Sequence, residues 1–148
     1  MRNWKLQNQN LSRCRKVVMP YSFDFDRVHK ILRAKFDGHV DDEEMRRYYF
    51  HDARKLVADF DFCCAIVDFT AVTKFDVSPS MIREMAEYKP VVSEIPVFII
   101  APAPHIFGTS RMFQIQGSKS RPMLQVVQSM DEVYAQLNVV KAKFEPLR

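Results

Sequence analysis

Glycine is scarce in this chain, with three in 148 residues. That scarcity argues against a glycine-rich loop cradling a nucleotide's phosphates. Long apolar runs are missing as well. The longest, around Ile95 to Ala103, is short and broken by Pro96 and Pro102, so it cannot span a bilayer, which takes ~20 apolar residues. No apolar segment of the signal-peptide kind follows the start, so no secretory signal is expected. The three cysteines offer no pair with metal-ligand spacing. Cys63 and Cys64 are neighbours in an apolar run, with side chains expected on opposite faces of a strand, and Cys14 sits in a polar stretch. They read as small core hydrophobes of a reduced, cytoplasmic protein, with no metal and no cofactor implied. Acidic residues are absent from two stretches: the first sixteen residues, and Ile95 to Met130.

The length fits one domain with a core that needs no staples. Hydrophobic residues make up 47% and charged ones 27%, and 12 phenylalanines promise a dense interior. The net charge of +4 hints at nucleic acid, but its location removes the hint. Arg2, Lys5, Arg13, Arg15 and Lys16 supply five positive charges, and taking them from the 22 basic residues leaves 17 against 18 acidic ones. The folded part is therefore about neutral, and no specific nucleic-acid partner is expected. Residues 1–18 read as a disordered basic extension, able at most to touch anionic surfaces. Residues 19–142 read as the domain, with Met19 a natural beginning, and 143–148 as a C-terminal tail.

From Tyr21 the pattern becomes regular. Tyr21, Phe23 and Phe25 alternate with polar residues as in a half-buried strand. A tight turn at Asp26-Arg27 leads to a second strand, with Leu32, Ala34 and Phe36 on one face and Arg33 and Lys35 on the other. Gly38 is read as closing this hairpin. Asp41 to Glu44 supply a cap and an acidic first turn for a helix burying Met45, Tyr49, Ala53, Leu56, Val57 and Phe60. The run Cys63 to Val67 lacks alternation, as expected of a strand covered on both faces, and is expected to end at Asp68. Ser78 and Pro79 then open a helix that buries Ile82, Met85 and Ala86 and stops before Pro90. Val97 to Ala101 is a second buried strand. A third helix is expected from about His105 to Gly117. Met123 to Gln128 is the last strand, and Ser129 with Glu132 forms a capping box for a final helix burying Val133, Leu137 and Val140. The order β-β-α-β-α-β-α-β-α calls for an α/β fold whose sheet, after an N-terminal hairpin, is mixed but mostly parallel.

Strand ends meeting helix starts are where open α/β sheets place their sites. That points first to the loop Asp76, Ser78, Ser80 and Met81. It points next to the acid-free stretch, where Gly108, Thr109, Ser110 and Arg111 lie near a helix start with His105, and where Asp68 ends the preceding strand. Backbone N–H groups, hydroxyls and an arginine together suit an anion. The plainer alternatives are that Ser78 only caps its helix, that Arg111 is an ordinary surface residue, and that Gly108 permits close packing on the sheet. Lys119 and Arg121 lie beyond the far end of the third helix and are assigned to a different surface. His29, His39, His51 and His105 form no pairing that implies a metal or a triad. Asp68 with His105 is the best acid–base pair available, but nothing makes it a catalytic signature.

Three segments also resemble a known group: Gly38-His39-Val40-Asp41-Asp42-Glu43-Glu44; Val67-Asp68-Phe69-Thr70 leading to Phe75-Asp76-Val77-Ser78; and Ala101-Pro102 followed by Phe107-Gly108-Thr109-Ser110-Arg111-Met112-Phe113. In this order they resemble the STAS superfamily, the fold of bacterial anti-sigma factor antagonists, and its SpoIIAA-like branch of STAS/SEC14-like proteins. The resemblance covers about Pro20 to Val140. It implies a single-domain STAS-like fold and a non-enzymatic, regulatory protein-interaction module of the anti-anti-sigma type, with a kinase or anti-sigma-like partner. In the sporulation-type antagonists the serine after the aspartate of the second loop is phosphorylated. Here Asp76 matches the aspartate, Val77 stands at the phosphorylated position, Ser78 follows it, and Pro79 replaces the glycine. A rival expectation is a carrier or sensor of a small anionic or lipid-like ligand held between the second and third helices. Either module would be a monomer or a homodimer without a membrane span.

Overall fold

The sheet grows from a hairpin whose turn is made by one carboxylate. Strands β1 (Tyr21–Asp26) and β2 (Ile31–Asp41) pair antiparallel, with Tyr21 opposite Phe36 and Asp26 opposite Ile31. Asp26 accepts from the Val28 and His29 N–H groups at 2.8 and 3.0 Å, and Lys30 takes a left-handed conformation, φ 54°. An aspartate turning the chain on its own side chain is a common local device. Gly38 therefore does not close the hairpin. It lies inside β2 at φ 74°, where the register with the neighbouring strand slips, a bulge that favours glycine. The computed structural model describes residues 20–147, so the expected N-terminal extension lies outside them.

After β2 comes one helical run, α1, in three pieces: Asp42–Arg47, a π-helical turn Tyr48–Asp52, and Ala53–Ala58. Asp41 caps it, and Glu44 completes the capping box. The remaining elements are β3 (Cys64–Asp76), α2 (Pro79–Glu87), β4 (Val97–Ile100), α3 (Pro104–Gln116), β5 (Leu124–Val127), α4 (Met130–Leu137) and a short β6 (Glu145–Pro146). The strand order across the sheet is β5-β4-β3-β2-β1-β6, with β2 to β5 parallel and β1 antiparallel to both its neighbours. The expected α/β class with a mixed, mostly parallel sheet is what the chain adopts. No helix among the described residues is long and apolar enough to cross a membrane.

Helices α1, α2 and α3 cover one face of the sheet, over Ala34, Phe36, Phe69, Ile99 and Leu124. Helix α4 covers the other, over Ile31, Ile66, Phe98, Ile100 and Val127. Four sequence expectations are corrected here. Strand β3 runs on past Asp68 to Asp76, because beyond Asp68 it pairs only with β2, so Thr70, Thr73 and Lys74 can face water while Phe69 and Phe75 pack inward. Cys63 is exposed just before that strand, whereas Cys64 is buried and its thiol pKa is pushed up to about 12 by burial. Val140 is 97% exposed, since α4 ends at Leu137 and Asn138 turns the chain in the left-handed region. The described part of the expected tail joins the sheet: β6 pairs with β1, the Lys143 N–H donates to Asp26 at 2.8 Å, and the Arg33 guanidinium lies 4.0 Å from the centre of the Phe144 ring.

Candidate functional site

An apolar cavity of about 130 Å³ lies between the sheet and the helices of its first face. Leu32, Ala34, Val67, Phe69 and Ile99 contribute from the strands, and Met45, Tyr48, Tyr49 and Ala53 from α1. Pro90, Val91 and Val92 of the α2–β4 connection close another side, and Phe113 of α3 a third. Alanines at 34, 53 and 65 put short side chains where longer ones would fill the space. The lining also includes Ser93 and Met123, both solvent-exposed, which places the mouth near them. No lining residue carries a carboxylate.

The π turn shapes the side of the cavity formed by α1. Spacing of four at Met45, Tyr49, Ala53 and Val57 drifts about 40° per step on an ideal α-helix. One widened turn, in which the Ala53 N–H donates to the Tyr48 carbonyl, absorbs part of this drift and keeps these side chains on the sheet. The turn is tied to the hairpin by the Tyr21 hydroxyl, which donates to the Asp52 carboxylate. Burial, with that bond, raises the Tyr21 pKa far above its ordinary value, and burial does the same for Tyr48. Both phenols stay neutral in the physiological range.

Arg121 is buried and belongs to this side of the molecule, not to a separate surface. Its Nη1 donates to the Ala86 carbonyl and the Ser120 hydroxyl, both at 3.0 Å. Its Nη2 donates to the Met85 and Tyr88 carbonyls, both at 2.9 Å, and to the Tyr49 hydroxyl. A cation against the last carbonyls of a helix is favourable in hydrogen bonding and in dipole. Arg54 adds to the same end. It donates to the Lys89 carbonyl and lies over the Tyr88 and Tyr49 rings, 4.7 and 5.1 Å from their centres. Gly117 is the close-approach partner, since a Cβ there would lie 2.6 Å from Arg121 Nη1. The anchoring role of Arg121 is not legible in the sequence, because its partners are backbone carbonyls 33 to 36 residues away. The only signal was an arginine, one of two in a stretch without acids.

The expected site residues are dispersed. Ser78 is the N-cap of α2: its hydroxyl accepts from the Met81 N–H at 3.1 Å and donates to Asp42 at 2.6 Å, while its own N–H donates to Asp42 at 2.7 Å. Asp76 is exposed at the end of β3, with His39 Nε2 at 2.8 Å and Lys74 Nζ at 3.6 Å. Ser80 is exposed, but Met81 is a core residue, 2% exposed, and offers no side-chain surface to a partner. Asp68 lies on the α4 face, where it accepts from the Thr70 N–H and hydroxyl and stands 3.9 Å from Arg33, itself bound by both oxygens of Asp24. His105 begins α3 on the other face and is exposed, so the imagined acid–base pair does not assemble. Gly108 is exposed with nothing near a Cβ, so it is not a close-packing glycine, and Arg111 is exposed and donates to Gln114. Only Thr109 and Ser110 of the expected pocket line the cavity. Among the described residues no group of three His, Cys, Asp or Glu is placed to hold a metal.

No family model matches the chain, and no curated protein matches it.

Proposed function

We propose that the protein binds a small, predominantly apolar molecule in the cavity under α1, as a carrier or sensor. The observation that carries this reading is the cavity itself, walled by aliphatic and aromatic side chains and bordered by exposed residues on one side. Its volume is close to that of engineered apolar cavities of ~150 Å³ that take up benzene. About six buried carbons at ~0.8 kcal/mol each give roughly 5 kcal/mol of gross driving force.

The resemblance to STAS proteins supports a different proposal, a regulatory module whose Ser78 loop meets a kinase or an anti-sigma-like partner. The local geometry favours the cavity instead. The Ser78 hydroxyl is held between Asp42 and the start of α2, so a phosphate there would face a carboxylate across a contact of 2.6 Å.

Toluene is the first probe. Titrated into ¹⁵N-labelled protein, it should give saturable amide shifts that cluster at the lining residues, and Ala53→Leu should abolish them while leaving the protein folded. No saturable shift in the wild type up to the solubility limit of toluene would overturn the proposal.

A further inference from the structure

The cavity's chemistry is more selective than its apolar walls alone suggest. Ser110 is 4% exposed and lines the cavity, and its hydroxyl is not among the fully enclosed unpaired polar atoms of the described residues, so it reaches open space. A hydroxyl in the wall of an otherwise apolar cavity is a place for a polar ligand atom or a water. The cationic group in the wall is not free in that way. Both terminal nitrogens of Arg121 are engaged by five acceptors: the Met85, Ala86 and Tyr88 carbonyls and the Tyr49 and Ser120 hydroxyls. An anion would have to pull that fork from the end of α2. A cation would find no carboxylate among the lining residues.

We infer that the cavity selects an uncharged amphiphile: an apolar body with one neutral oxygen function, alcohol, ketone or ester, hydrogen-bonded to Ser110. This rests on the ligand-binding reading and narrows it, since an anionic ligand is disfavoured by the same walls that favour an apolar one. Burying an ionised carboxylate or ammonium without a partner is far more costly than burying a hydroxyl that finds one.

A series of equal length tests it: 1-hexanol, hexanoate and hexylammonium at pH 7, titrated by NMR into the full chain, with toluene as the reference. Hexanol should bind at least tenfold more tightly than either ion. Ser110→Ala should weaken hexanol relative to toluene about three- to tenfold, the worth of one ordinary hydrogen bond. If toluene itself fails to bind, the ligand-binding reading falls. If toluene binds but hexanoate equals hexanol, the head group stays in water at the mouth and the selectivity inferred here is wrong. If Ser110→Ala leaves hexanol unchanged relative to toluene, the serine is not the polar contact and the inference is likewise overturned.

Discussion

Replacing Arg121 by alanine should be among the most damaging single changes to this protein. The substitution strips five acceptors of a charged donor, three of them carbonyls at the end of α2, and removes the cation 4.9 Å from the Phe113 ring centre. Hydrogen bonds to a charged group contribute ~1.5–3 kcal/mol each, but bonds sharing one guanidinium are not additive. Water entering the vacated space would satisfy some of the carbonyls. A loss of about 4 kcal/mol is the expected size, the range seen when one partner of a buried charged network is removed. At ~4 °C per kcal/mol for a domain of this length, the midpoint should fall by about 15 °C. Arg121→Lys keeps the charge but replaces a planar fork by one nitrogen with three hydrogens, so it should recover roughly half of the loss. Urea unfolding followed by far-UV circular dichroism measures both variants, with an unchanged m-value as the check that only stability moved. A loss below about 1 kcal/mol in Arg121→Ala would refute the anchoring role. Full recovery by lysine would show that charge, not the fork, is what α2 requires.

Two further predictions concern carboxylates that organise turns. Ser78→Ala should cost about 1 kcal/mol as a lost cap, whereas Ser78→Asp, which keeps a capping oxygen but sets a second carboxylate against Asp42, should be less stable than Ser78→Ala at neutral pH and recover when combined with Asp42→Asn; a Ser78→Asp protein as stable as wild type would refute the Asp42 contact. Burial alone would raise the Asp26 pKa, but the bonds from the His29 N–H and ring and from the Lys143 and Val28 N–H groups outweigh it and the net shift is downward. Its contribution is therefore full above the unfolded value of about 3.9 and is lost as the pH falls through the lower folded value. The melting temperature should hold from pH 7 to about 5 and then drop, and Asp26→Asn should lower stability at pH 7 and flatten that acid limb; an acid limb of unchanged slope would place the sensitivity elsewhere.

Much of the fold could be read along the chain because its signals are local. The capping boxes at Asp41 and Ser129, the cap at Ser78, the proline opening α2 and the glycine after α3 act over three or four residues. The unbroken apolar run at Cys64 to Val67 marks a strand covered on both faces for the same reason: each residue answers to its own burial. The local signal is ambiguous where two patterns meet in one element. Strand β3 changes from doubly covered to half-exposed at Asp68, so a switch in composition looked like an end.

The site was legible only in fragments. Thr109 and Ser110 were picked out for being near a helix start, and they do line the cavity, but for the side of α3 they occupy and not for its terminus. Sequence by itself determined the α/β class, the alternation of strands and helices, their caps, and the absence of acids around α3. Tertiary structure alone decided that Asp68 and His105 lie on opposite faces of the sheet, that Arg121 is consumed by carbonyls of a distant helix, and that three alanines far apart in the chain leave an apolar space together. The physical reason is reach. Caps and periodicity are interactions between near neighbours and are written in short words, whereas a cavity is volume left over after many distant side chains have packed.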